Sequence, residues 1–272
     1  MPVVVRAARY TRFALLAALL AWTTPAAADT EAGGKDPMQT GFLQQTIEVH
    51  GKAHRYVLFV PEAYTPESEW PLIVFLHGAG ERGDDGLVHS KVGLGPAIEK
   101  HPDRFPALVL MPQCPKDANW DTQHDVLEAQ MAAVRAAYAV DDKRVYLTGL
   151  SMGGYGTWLW GAIHTDTFAA LVPICGGGDP ADIQRLLGTT GGNPYGSHAS
   201  RVRALAAVPI WAFHGGADTV VPPDRSRAMV EAVQGAGGNI RYTEYEGVGH
   251  NSWDATYRDH DVISWLLAQG KS

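Results

Sequence analysis

The chain has 272 residues, 46% of them hydrophobic and 19% charged, with a net charge of −7 when histidine is neutral. That composition is ordinary for a globular protein, and the length suits one large α/β domain better than two small ones. The acidic balance disfavours nucleic acid and anionic lipid as partners, and no basic cluster offsets it.

The N-terminal segment reads as an address. Arg6, Arg9 and Arg12 precede the short apolar stretch Phe13 to Trp22, and Ala26-Ala27-Ala28 follows. This order is that of a secretory signal peptide cleaved before Asp29. The rival reading is a membrane anchor, but a spanning helix needs roughly 20 apolar residues, about twice what is present. Residues 1–28 are therefore expected to be removed and residues 29–272 to fold, with a secreted or periplasmic location and no stable membrane anchor. Losing three arginines and no acids takes the charge from −7 to −10.

The next residues, 29–41, are small and polar and read as a lead-in. Gln45 to His50 and Arg55 to Val60 alternate well enough for two antiparallel strands, with Gly51 in the turn. Pro71 to Leu76 and Leu108 to Met111 are continuous apolar runs, which suit strands buried on both faces of a parallel sheet. Leu127, Met131, Val134 and Tyr138 give one apolar helical face. Val145 to Thr148, Ala169 to Cys175, Pro209 to Phe213 and Ile240 to Tyr245 are further strands. A helix over 224–234 turns Met229, Val230 and Val233 inward, and Val262, Ile263, Leu266 and Leu267 mark a closing helix. Gly188 to Ser200 is the most loop-like internal stretch, and Ile183 to Leu187 suits at most one small helix. Eight strands with helices between the later ones predict an α/β fold with a mostly parallel eight-stranded sheet. No repeat or linker divides it.

The chemistry gathers where these strands end. Val145 to Thr148 leads into Gly149-Leu150-Ser151-Met152-Gly153, and Tyr155 to Ile163 continues as a helix. Strand, Gly-x-Ser-x-Gly turn and helix together form a nucleophile elbow. A serine hydroxyl needs a base, and the base needs an acid to orient it. His250 follows the last strand in Gly247-Val248-Gly249-His250, and Asp218 follows the preceding one in His214-Gly215-Gly216-Ala217-Asp218. The order Ser151, Asp218, His250 is that of the α/β-hydrolase triad. An oxyanion would be held by the backbone N–H of Met152 and by that of Ala79, in the loop after Leu76, with Gly80 the neighbouring option. His77 reads as structural. Trp120 and Trp253 lie in loops at the same end and are candidates for substrate binding, the alternative being packing that props the loops. Tyr155 reads as core, and Glu81, Arg82, Asp84 and Asp85 as a solvated face. No His/Cys/Asp cluster shows metal-ligand spacing and no cofactor fingerprint occurs, so no metal and no cofactor are expected.

These motifs resemble a known family. Phe75-Leu76-His77-Gly78-Ala79-Gly80-Glu81-Arg82-Gly83, Pro112-Gln113-Cys114-Pro115 with Trp120, the Ser151 elbow, the Asp218 loop and Gly249-His250-Asn251-Ser252-Trp253 are similar to those of the α/β-hydrolase superfamily. Within it the resemblance is to the secreted phospholipase/carboxylesterase branch, which includes dienelactone-hydrolase-like and feruloyl-esterase-like enzymes. A remoter likeness is to the catalytic domain of prolyl oligopeptidases. The resemblance implies a single-domain α/β-hydrolase fold and a serine esterase acting on small-molecule or polymer-attached esters. Dienelactone hydrolases proper carry a cysteine where this chain has Ser151, which argues against that particular activity. The family's strand order also implies that Cys114 and Cys175, after the fourth and sixth strands, stand about 14 Å apart and do not pair. The alternatives are a peptidase or amidase on the same triad, and a non-catalytic binding protein on the same fold. Neither the acyl group nor the oligomeric state is legible.

Overall fold

In the computed structural model, which describes residues 39–178 and 197–271, the chain opens on a β-hairpin. Its elements all belong to the unit Thr40–Ser272. β1 (Gly41–Val49) pairs antiparallel with β2 (Lys52–Val60) across a two-residue turn. His50 and Gly51 both take positive φ, 50° and 74°, as a type I′ turn requires. β1 begins earlier than alternation suggests, because Phe42 and Leu43 continue the ladder opposite Phe59 and Leu58.

The remaining strands are β3 (Trp70–Leu76), β4 (Leu108–Pro112), β5 (Val140–Leu150), β6 (Ala170–Ile174), β7 (Ile210–Gly215) and β8 (Ile240–Tyr245). The sheet order is β1-β2-β4-β3-β5-β6-β7-β8, antiparallel as far as the β2–β4 pair and parallel beyond it. The expected eight-stranded, mostly parallel sheet flanked by helices is the observed one. β5 starts five residues before the apolar run, since Val140 pairs with Trp70 ahead of a register shift.

Side-chain alternation along the central strands divides the core in two. Leu72, Val74 and Leu76 of β3 face one layer, and Ile73 and Phe75 face the other. The first layer receives helices α2 (His124–Ala137), α3 (Met152–Ile163), α4 (His198–Leu205) and α5 (Asp224–Gly235). The second receives α1 (Leu94–Lys100), α6 (Trp253–Arg258) and α7 (His260–Leu267). Burying a Leu or Ile side chain contributes roughly 1.5–3 kcal/mol, so strands buried on both faces anchor the architecture.

Two expectations need correction or limits. The end of the Gly188 to Ser200 stretch is helical: Ser197 caps α4 by accepting from the Ser200 N–H, and Val202 and Leu205 are buried beneath it. A short side-chain oxygen that looks like loop composition is here a helix start. Residues 1–28, Ile183 to Leu187 and most of the Gly188 to Ser200 stretch lie outside the described residues. Cys114 and Cys175 are free, buried thiols, with β3 and β5 standing between their strands. No helix among the described residues is long and apolar enough to cross a membrane.

The strand order positions the site. The chain steps outward from β3 to β4 and then crosses back to β5 on the other side of β3. The loops after β3 and β5 therefore diverge and leave a crevice between the strands' C-terminal ends.

Candidate active site

β5 ends at Leu150, and the next residue has nowhere to go but into a sharp turn. Ser151 has φ 52° and ψ −115°, the strained conformation of an elbow, and α3 begins immediately after it. Gly153 makes the turn possible: a Cβ there would stand 1.9 Å from the Leu76 carbonyl oxygen. The Ser151 N–H donates to the Ile174 carbonyl at 3.0 Å and lies 3.3 Å from Cys175 Sγ, which ties the elbow to β6.

The three expected residues meet. Ser151 Oγ lies 2.9 Å from His250 Nε2, and His250 Nδ1 lies 2.7 Å from Asp218 Oδ2. A carboxylate only accepts, so Nδ1 carries the proton and Nε2 is left to accept from the serine hydroxyl. Asp218 Oδ1 accepts from the Val220 and Val221 N–H groups at 2.8 and 2.9 Å. Burial alone would raise the Asp218 pKa, but the hydrogen bonds from His250 and these two amides hold it below the ordinary value. The carboxylate therefore stays charged and fixed beside the imidazole.

Ala79, Ser151 and Met152 line one cavity of about 210 Å³. Its apolar wall is Trp120, Tyr155, Leu159 and Val221. A helix N-terminus and a tight loop flank the serine, so the Ala79 and Met152 amides are the candidates for holding developing negative charge. The β3 loop packs closely at Gly78, where a Cβ would fall 2.9 Å from Leu150 Cδ1, 3.0 Å from Glu81 Oε2 and 3.6 Å from Ser151 Cβ.

A set of long-range hydrogen bonds holds that loop. His77 is fully buried, with Nδ1 2.6 Å from the Gly78 carbonyl and Nε2 accepting the Cys114 N–H at 2.9 Å. Burial pushes its pKa down to about 3, so it is a neutral structural ring. Gln113 Oε1 accepts the Gly86 N–H at 2.7 Å and its Nε2 reaches the Glu81 carbonyl at 3.3 Å. The Pro112-Gln113-Cys114 motif thus positions the β3 loop. Sequence reading singled out the motif but not this work, which joins residues about thirty positions apart.

Trp120 and Trp253 part company. Trp120 lines the cavity but is only 2% exposed; its Nε1 donates to the His77 carbonyl at 2.9 Å. Trp253 is not among the lining residues. Its ring stands edge-on to His250, centroids 5.4 Å apart at 89°, a contact that suits the packing alternative of the sequence reading. The charged loop is also not a simple solvated face. Arg82 lines the cavity and its Nε donates to the Ala79 carbonyl at 3.0 Å, while burial raises the Glu81 pKa. Tyr155 is buried, yet it lines the cavity beside Val221.

Sequence reading missed two further features. His214 is fully buried against Asp218. Spacing along the chain also did not show that α2 and the end of α3 bring His124, Glu128 and His164 together, with one donor atom from each within 4.8 Å of the others. Linear spacing shows only the His124–Glu128 half of that group.

Residues 53–261 match the dienelactone hydrolase family, and the chain belongs to it. It is 24% identical to poly(3-hydroxyalkanoate) depolymerase C of Paucimonas lemoignei over 65% of its own length and 45% of that protein's. It is 25% identical to feruloyl esterase D of Neurospora crassa, over 88% of its own length and 83% of that protein's. Among solved structures, a thermostable esterase is similar, with 36% identity and a TM-score of 0.70, over 85% of this chain and 63% of that one. The chain thus spans about half of the first curated relative and under two thirds of that solved chain.

Proposed function

We propose that the chain is a serine carboxylesterase that cleaves short-chain or aromatic esters through an acyl-enzyme on Ser151. One observation carries the reading: the Ser151–His250–Asp218 contacts of 2.9 and 2.7 Å beside an apolar cavity. Ser151 Oγ attacks the ester carbonyl carbon while His250 Nε2 takes the hydroxyl proton. Asp218 stabilises the imidazolium. The Ala79 and Met152 N–H groups hold the oxyanion. Collapse breaks the C–O bond to the alcohol, which leaves with the proton from His250. Water then attacks the acyl-enzyme, His250 accepts its proton and returns it to Ser151 Oγ, and the acid departs.

The cavity supports the choice of acyl group. A space of about 210 Å³ lined by Trp120, Tyr155 and Leu159 suits a small acyl chain or one aromatic ring. The alcohol side is a small molecule or a polymer such as a carbohydrate. The names of the feruloyl esterase and depolymerase relatives support this class. Cleavage of residues 1–28 and a secreted or periplasmic location belong to the same reading, supported by the basic-apolar-small order of that segment. N-terminal sequencing of the protein from its host checks it, Asp29 being the expected first residue.

A panel of acetyl, long-chain and hydroxycinnamoyl esters, with a peptide amide as control, tests the activity. Acetyl or hydroxycinnamoyl esters are expected to lead in kcat/KM. A leading amide would transfer the chain to the peptidases, and a leading long-chain ester activated at a lipid interface would contradict the small acyl site.

A further inference from the structure

We propose that His124, Glu128 and His164 form a zinc site that clamps α2 to the end of α3. The ester chemistry above uses none of these residues, so the two readings stand or fall separately. His124 and Glu128 lie four residues apart on α2 and therefore share one face of the helix. His164 is the residue that ends α3, its backbone N–H donating to the Trp160 carbonyl. Two separate elements thus contribute to one cluster.

The geometry is that of ligands around one small ion. His164 Nδ1 and Glu128 Oε1 are 3.5 Å apart, long for a hydrogen bond. Two ligands on a tetrahedral zinc, each bonded at about 2.0–2.1 Å, lie about 3.4 Å from one another. The His124 and His164 ring centroids are 5.1 Å apart. Two imidazoles sharing a tetrahedral ion have centroids about 5 Å apart. The rings are also held in place. Trp160 stacks against both, at 5.0 Å and 29° for His124 and at 4.9 Å and 14° for His164. Asp125 supplies a second carboxylate beside the same imidazole, its Oδ1 3.6 Å from His124 Nδ1.

The donor set selects the ion. Two imidazole nitrogens and one carboxylate suit zinc and its transition-metal neighbours, whereas calcium and magnesium need oxygen ligands. The His124 and Glu128 side chains are 39% and 45% exposed, so solvent reaches the site and supplies the remaining ligand. The consequence is mechanical. Trp160 Nε1 donates to the Trp120 carbonyl at 3.0 Å, and Trp120 Nε1 donates to the His77 carbonyl at 2.9 Å. An ion joining both helices would stiffen the support of the loop that carries Ala79.

Zinc binding to the purified, tag-free protein tests this by calorimetry and by metal analysis after dialysis. One zinc per chain is expected, with a rise in Tm. Glu128→Gln and His164→Asn should each weaken binding by at least about tenfold and abolish the Tm rise. Glu128 is exposed, so its variant should fold, and near-UV circular dichroism checks both. His250→Ala should bind zinc as the unaltered protein does. Failure to bind zinc, binding unchanged in the Glu128 and His164 variants, or binding lost only in His250→Ala would each overturn the proposal.

Discussion

His214 Nε2 lies 3.2 Å from Asp218 Oδ2, the same oxygen that His250 Nδ1 reaches at 2.7 Å. The Val221 carbonyl is 2.8 Å from that His214 nitrogen as well. Two oxygen acceptors around Nε2 place the proton there, while Nδ1 lies 2.7 Å from Ser226 Oγ, a hydroxyl that also reaches the Gly176 carbonyl at 2.8 Å. Burial lowers the His214 pKa, so the ring does this as a neutral donor. A second histidine thus donates to the Val221 carbonyl and stands directly behind the acid of the proposed triad.

Replacing that donor should be felt at the acid and not in substrate binding. His214→Phe keeps the ring and removes the N–H. Removing the N–H that donates to the Val221 carbonyl and stands 3.2 Å from Asp218 Oδ2 should let the carboxylate shift, so kcat should fall about tenfold with KM little changed. The Asp218 pKa should rise, which moves the acid limb of the kcat/KM profile to higher pH. His214→Gln, which retains an N–H, should recover part of both. A changed KM with an unmoved acid limb would reduce His214 to a packing residue.

Stability should decline in mild acid. His77 is held down at about 3 and His89 at about 4, both chiefly by burial. Their folded pKa values lie below the unfolded value of about 6.5, so below that pH the unfolded chain binds protons that the folded chain does not. The stability present above pH 6.5 is therefore lost as pH falls towards 4, by up to about 1.4 kcal/mol per pH unit for each group. Urea midpoints at pH 7 and pH 5 check this, and His89→Leu should make the slope shallower. Equal midpoints at the two pH values would contradict it.

The elbow depends on one close approach. Gly153→Ala would drive a Cβ against the Leu76 carbonyl, in backbone that cannot retreat. A loss above about 4 kcal/mol, or no accumulation of folded protein, is expected. Gly249→Ala meets nothing within 4 Å and should change the thermal midpoint by little. Similar midpoints for the two variants would count against the packing described.

Acyl preference should follow the cavity wall. Leu159 lines the cavity, so Leu159→Phe should cut kcat/KM for hydroxycinnamoyl esters by about 10-fold or more while sparing acetyl esters. Trp253→Leu should lower both by a similar factor, since that ring supports His250. Steady-state kinetics on paired esters distinguish the two. A selective loss of aromatic substrates in Trp253→Leu would restore the substrate-binding role.

What could be read from the chain alone follows from how local each signal is. Ser151, Asp218 and His250 were visible because each sits within a few residues of a strand end, and buried parallel strands announce themselves as apolar runs. His214 was in plain view beside its strand, yet its role depends on Ser226 and Val221 folding back over it. Gln113 and Cys114 act across about thirty residues, which no periodicity records. Ser197 and Ser200 look like loop composition until α4 buries Val202 and Leu205. The His124–Glu128–His164 group needs two helices to be packed before it exists.

The central claim, an acyl-enzyme on Ser151, is tested most directly by intact and peptide mass spectrometry of the protein quenched during turnover of a slow aromatic ester. The account predicts one acyl group per chain on the peptide holding Ser151, its loss in Ser151→Ala, and turnover in that variant reduced by several orders of magnitude. An acyl group on any other residue, or near-normal turnover by pure Ser151→Ala protein, would contradict it.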